Sequence, residues 1–165
     1  MPLFNLAELF ARLAPEARLL GIDPGARRIG LALSDVSLLL ATPYGTLARG
    51  KLAQNAAEIT ALARKEGVGG LVVGWPLDLD GTVGRAAQAA RDWAAALADA
   101  TGLPATLWDE RLTTEAALRL LIGQADLSRK RRAEVTDRVA AALILQAALD
   151  ARREGALPPR PPLGP

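Results

Sequence analysis

Residues 18–35 read RLLGIDPGARRIGLALSD, and this stretch decides the fold. Two apolar runs, Arg18 to Asp23 and Arg28 to Asp35, flank a Pro-Gly turn, the pattern of two strands joined as a hairpin. Asp23 ends the first strand beside the turn. A carboxylate there faces a ligand while its backbone stays rigid, a common location for sites in open α/β sheets. A turn-forming aspartate before Pro24 would be spelled the same way, so the position needs company before it means chemistry.

Working outward, Pro43 to Leu47 reads as a third strand. Leu52, Ala56, Ile59 and Ala63 fall on one face of a helix from Lys51 to Glu66, with Gly67 as its natural end. Val68 to Trp75 is an apolar run of the kind covered on both faces. The loop PLDLDGT leads into a helix from about Val83 to Gly102, with Trp93 and Leu97 inward. Ala105 to Trp108 is a short strand running into DERLTT. Thr113 or Thr114 caps a further helix whose inner face includes Leu118, Leu121 and Ile122, and a long helix follows from Ser128 to Arg153. Before the hairpin, Leu6, Leu9, Phe10 and Leu13 form a helical stripe, with Asn5 and Glu8 as a capping pair. The tail ALPPRPPLGP suits neither a helix nor a central strand.

Strands alternating with helices require parallel neighbours joined by crossovers, whereas the opening hairpin is antiparallel. The expectation is therefore an α/β fold with a mixed five-stranded sheet flanked by helices. It divides into an N-terminal helical extension (1–17), a catalytic domain (18–153) and a disordered proline-rich tail (154–165).

Composition narrows the chemistry. Among 165 residues there is no histidine and no cysteine. Their absence excludes disulfides, thiolate or imidazole zinc sites, and Ser-His-Asp or Cys-His catalysis. Carboxylates, amines, guanidiniums and hydroxyls remain, and clustered carboxylates bind hard cations such as Mg²⁺ or Mn²⁺. The net charge is only +2, so the pI near 9.5 says less than local clusters of charge do. No apolar run reaches bilayer length and the N-terminus lacks a basic leader, so a cytoplasmic location is expected.

Three acids stand where such chemistry needs them. Asp23 ends a strand, as do Asp109 and Glu110. Neighbours on an extended chain point to opposite sides, so one of that pair faces the site; Glu110 is preferred for its reach, with Asp109 the alternative. Asp137 lies in EVTDRVAAALILQAAL, a largely apolar helix in which a charge needs a partner or a metal, and Glu134 one turn earlier shares its neighbourhood. Asp23, Glu110 and Asp137 could hold two cations roughly 4 Å apart. Bases supply a second element. Arg129-Lys130-Arg131-Arg132 opens the last helix, where the macrodipole disfavours cations, so phosphate contact is a reason for them. Arg27, Arg28 and Arg111 adjoin the acids and suit a phosphate. Tyr44 and Trp75 are candidate base platforms, with core packing the stronger reading of Trp75.

The blocks LLGIDPGARRIGLALSD, LVVGWPLDLDGTVG, LWDERLTTEAA and TDRVAAALILQAAL resemble, in that order, those of the YqgF-type family. Its members are described as Holliday-junction resolvases and as nucleases of pre-16S ribosomal RNA. The resemblance covers about residues 18–150 and implies a ribonuclease H-like fold, with motif positions on Asp23, the Asp109-Glu110 pair and Asp137. It also marks two departures from the RuvC-type resolvases. Gly74-Trp75-Pro76 stands where those carry a glutamate, and Ala140 where they carry a second helical aspartate. The expected function is a metal-dependent nuclease acting on nucleic acid, chiefly precursor ribosomal RNA. Junction cleavage by a dimer is the alternative, and a non-catalytic ribosome-assembly factor the rival from another class. An actin-like kinase opens with a similar hairpin but needs two such domains.

Overall fold

The Pro-Gly turn folds β2 (Arg18–Pro24) back on β3 (Arg28–Ser34) in antiparallel register, with Asp23 opposite Gly30. This hairpin is the middle of the sheet in the computed structural model, which describes residues 3–112 and 128–153. The remaining elements are β1 (Leu3–Phe4), α1 (Leu6–Arg12), β4 (Ala41–Ala48), α2 (Leu52–Glu66), β5 (Val68–Trp75), α3 (Arg85–Thr101), β6 (Ala105–Asp109), a 3₁₀ turn (Glu110–Leu112) and α4 (Arg129–Arg153). The helix expected after Thr113, with Leu118, Leu121 and Ile122, and the proline-rich tail lie outside the described residues.

The sheet runs β1-β6-β5-β2-β3-β4 and is mixed: β1, β6, β5 and β2 are parallel, while β3 is antiparallel to both β2 and β4. It has six strands, not the expected five. The addition is β1, which pairs with β6 through Leu3–Ala105 and Phe4–Thr106. Two residues are too few to show a period, and only the fold of α1 behind them brings them to the edge.

Alternation along each strand sorts the side chains into two layers. On one face Leu20, Ile22, Ile29, Leu31, Leu71, Val73 and Trp75 pack against Ala56 and Ile59 of α2 and Ala87, Ala94 and Leu97 of α3. On the other, Leu19, Ala32, Val72 and Trp108 meet Leu6 and Leu9 of α1 and Ala141, Ile144, Leu145, Ala148 and Leu149 of α4. Helix α1 starts with the expected capping box, Asn5 with Glu8, and its Leu9 is wholly buried. The stripe on α1 is thus spent inside its own chain. Gly67 and Gly102, both left-handed, close α2 and α3. No helix among the described residues is long and apolar enough to cross a membrane.

Candidate active site

The parallel strands β2, β5 and β6 all finish at one edge of the sheet, at Asp23–Pro24, Trp75 and Asp109. Leu19 lies in the α4 layer and Gly21 lies under Leu145, so the same alternation turns Asp23 towards α4. Its neighbours on that face are two glycines. On β3 it is paired with Gly30. On β5 the register Ile22–Val73 brings Gly74 alongside.

Both glycines are steric requirements. A Cβ on Gly30 would collide with the backbone carbonyl of Asp137, so α4 rests directly on the strand there. A Cβ on Gly74 would lie 2.5 Å from Glu110 Oε1 and 2.8 Å from Ile144 Cδ1. The missing side chains leave a floor at the end of one face: Asp23 between, α4 carrying Asp137 on one side, and the Glu110 carboxylate on the other. The segment Gly74-Trp75-Pro76, which lacks an acid of its own, thus receives the carboxylate of Glu110 from the 3₁₀ turn that follows β6.

The structure also separates the Asp109–Glu110 pair. Glu110 extends over Gly74, on the α4 face. Asp109, 7 % exposed, turns to the opposite layer and is gripped by Arg111. Arg111 Nε donates to both Asp109 oxygens at 3.0 Å, Nη2 to Oδ2 at 2.6 Å, and its amide to Oδ1 at 3.0 Å. The hydrogen bonds to Asp109 raise the pKa of Arg111, keeping it charged. A further bond of 3.4 Å runs from Arg111 Nη1 to the Leu79 carbonyl. Arg111 is therefore oriented by Asp109 and the Leu79 carbonyl, with its guanidinium still partly exposed.

Asp137 has its own counter-charge: Arg28 Nε donates to Oδ2 at 2.7 Å. Both side chains keep partial access to water, so this pair is worth at most about 1 kcal/mol. Glu134 is half-buried in the preceding turn of α4. Arg27 is exposed on the hairpin turn. A cation that the sequence did not single out, Arg49, braces that turn: its amide bonds the Arg27 carbonyl at 2.9 Å and its Nη1 the Gly25 carbonyl at 2.9 Å. Only the antiparallel pairing of Arg28 with Ala48 brings Arg49 there. Arg129, Arg131 and Arg132 are exposed in the first turn of α4, which includes Lys130. The eight helical steps from residue 129 to residue 137 rise about 12 Å, so this run projects beyond the sheet edge above Asp23. Tyr44 is exposed on β4. Trp75 is wholly buried, its Nε1 donating to the Ala87 carbonyl at 2.9 Å, which rules it out as a base platform.

The donor set is oxygen only, which matches Mg²⁺ or Mn²⁺. Among the described residues, however, no three acidic side chains are gathered closely enough to hold a metal ion. The carboxylates share one end of one face without forming a closed cage, and Arg28 engages one oxygen of Asp137.

The comparisons agree with this architecture. The family model described as RuvX, Holliday junction resolvase, matches residues 17–151. A protein of Gluconacetobacter diazotrophicus named "Putative pre-16S rRNA nuclease" is 58% identical over 154 residues, covering 93% of this chain and all of that one. A protein of the same name from Acidiphilium cryptum is 54% identical over 161 residues, covering 98% and 99%. Among solved structures, Thermus thermophilus RuvC in complex with a Holliday junction substrate aligns over 85% of this chain and 97% of that chain, with a TM-score of 0.54 and 17% identity. RuvC from the same organism in a second structure aligns with a TM-score of 0.52. At such identities the likeness establishes the fold, which is ribonuclease H-like. The family match spans both sheet layers and all three acids, and on that ground the chain belongs to the RuvX family.

Proposed function

We propose that this chain is a divalent-metal-dependent nuclease that hydrolyses phosphodiester bonds in precursor ribosomal RNA, with Asp23, Glu110 and Asp137 as its metal-holding and catalytic residues. The observation that carries the reading is the floor made by Gly30 and Gly74, which brings Glu110 and the Asp137 segment of α4 to either side of Asp23. The names of the relatives from Gluconacetobacter diazotrophicus and Acidiphilium cryptum point to the RNA. A bound divalent cation would activate water and stabilise the leaving oxygen. The chain's own residues do the rest. Asp23 is held rigidly by two flanking strands. Arg28 balances the charge of Asp137. Arg27, Arg28 and the run Arg129 to Arg132 attract and position the phosphates, working in the cytoplasm on a polyanion.

Junction cleavage needs two active sites related by a two-fold axis. The apolar stripe of α1, Leu6, Leu9, Phe10 and Leu13, packs within its own chain and so is not left over to join two copies. That favours RNA over branched DNA as the main substrate. The test is incubation of the pure protein with precursor ribosomal RNA, single-stranded RNA and a four-way junction, with Mg²⁺ or Mn²⁺. The expected outcome is metal-dependent cutting of the precursor. Paired symmetric nicks in the junction with intact RNA would reverse the order, and binding without cutting under either metal would leave a non-catalytic assembly factor.

A further inference from the structure

Leu79 is 95 % exposed, more than any other large apolar side chain among the described residues. A single exposed leucine on a soft loop would need no explanation. This one sits on a turn that is heavily tied. The Asp78 amide donates to the Thr82 carbonyl at 3.1 Å and the Gly81 amide to the Asp78 carbonyl at 2.8 Å. The Thr82 hydroxyl bonds Asp80 Oδ1 at 2.7 Å and Asp78 Oδ2 at 3.2 Å. The turn is anchored in its own right to the candidate active site. The Leu79 carbonyl accepts from Arg111, whose guanidinium is forked on Asp109, and Glu110 lies between those two residues in sequence. An apolar side chain is thereby held in water at a set distance from Glu110, at the edge where β5 and β6 end.

Its surroundings select what it touches. Asp78 and Asp80 flank Leu79, and Thr82 stabilises the charged form of Asp80 through its hydroxyl and amide. The two carboxylates beside the leucine disfavour a phosphate there and Arg111 offsets them in part, so the surface of a passing strand that best suits this apolar side chain is a base. Apolar side chains that meet nucleic acid in this way insert between bases or cover the face of one. We propose that Leu79 is a substrate-positioning residue that packs on an unpaired nucleobase next to the scissile phosphate, with Arg111 setting its distance from Glu110. The proposal rests on the nuclease reading above.

The test uses the full chain and single-stranded RNA carrying 2-aminopurine at successive positions, without divalent cation so that binding is read apart from cleavage. Leu79→Ala should keep the melting temperature and bind up to roughly tenfold more weakly, the loss expected when the apolar contact of a leucine side chain with one base is removed. It should abolish the fluorescence change at one position only. Leu79→Trp should restore the affinity, and an abasic RNA at that position should bind wild type and Leu79→Ala equally. Unchanged binding and unchanged fluorescence in Leu79→Ala would overturn the proposal, and a leucine that serves a protein partner gives that result. If the wild type binds none of these RNAs, the proposal is also overturned. Binding with the expected Leu79 dependence but no cleavage under any metal would sink the nuclease reading alone.

Discussion

The two faces of the sheet are packed by opposite means at the edge where β2, β5 and β6 end. Towards α2 and α3 stand Ile22, Ile29, Val73 and Trp75, all fully buried. Towards α4, at the same level of the sheet, stand Asp23, Gly30 and Gly74. The first face stabilises the domain by removing large apolar surfaces from water, about 25 cal/mol per Å². The second gives up side-chain volume so that the α4 backbone and the Glu110 carboxylate can approach the strand ends beside Asp23. A charged site can be built on a small sheet because the opposite layer carries the stability that this corner lacks.

The largest effect expected is on the open face. Asp23→Asn should lower the cleavage rate by at least about a thousandfold, as removal of one essential active-site group does, while RNA binding persists. Without metal the variant should melt close to the wild type, because asparagine keeps the size of aspartate and its capacity to accept hydrogen bonds. Mn²⁺ should raise the melting temperature of the wild type and much less that of the variant; full activity in Asp23→Asn would end the metal-site reading. On the closed face the cost should fall on folding. Trp75→Ala leaves a void in the buried layer, and denaturant unfolding should show a loss of about 3–5 kcal/mol.

Gly30→Ala should break the contrast from the other side. The added methyl meets the Asp137 carbonyl, so stability should drop by about 1–3 kcal/mol as α4 is pushed away. Cleavage should fall further than stability alone explains. An unaltered melting temperature would show that α4 does not need that glycine. Alanine at Arg129, Lys130, Arg131 and Arg132 should leave both faces intact and weaken RNA binding similarly for unrelated sequences. The slope of log affinity against log salt should flatten by up to about one unit for each phosphate no longer neutralised, and an unchanged slope would reduce these cations to solvation of the helix start. The smallest effect belongs to Gly45 of β4, around which a Cβ meets open space. Gly45→Ala should be neutral or stabilising by up to about 1 kcal/mol, and a loss as large as that of Gly30→Ala would mean that glycine content, not close approach, governs this sheet.

How far the site is legible in the sequence varies by residue. Asp23 is visible because a strand and a Pro-Gly turn bracket it. Glu110 can be preferred over Asp109 only for its length. What separates them is a register: β6 beside β5, Gly74 beneath Glu110, and Arg111 turned back on Asp109. In the sequence Gly74-Trp75-Pro76 looks like a lost acidic position, although the lack of a side chain at Gly74 is what admits the glutamate that follows β6. Arg49 and Leu79 carry no signal, since one cation after a strand and one leucine in a loop are common in any sequence. The strand Leu3–Phe4 escapes notice for want of length.

The boundaries of β2, β3, β5 and of helices α1 to α4 came from the chain itself, because hydrophobic period and Gly/Pro punctuation are local properties of neighbouring residues. So did the restriction to oxygen chemistry, since a chain without histidine or cysteine has no other ligand of comparable strength. The tertiary structure decided the edge order of the sheet, which acid shares a face with Asp23, and which acids Arg28 and Arg111 engage. Those depend on atoms brought together from distant positions or turned by the fold, such as Arg28 and Asp137 at 2.7 Å across 109 residues of chain. Local periodicity carries no record of such pairs, because they are selected by register and steric clearance only once the strands have met.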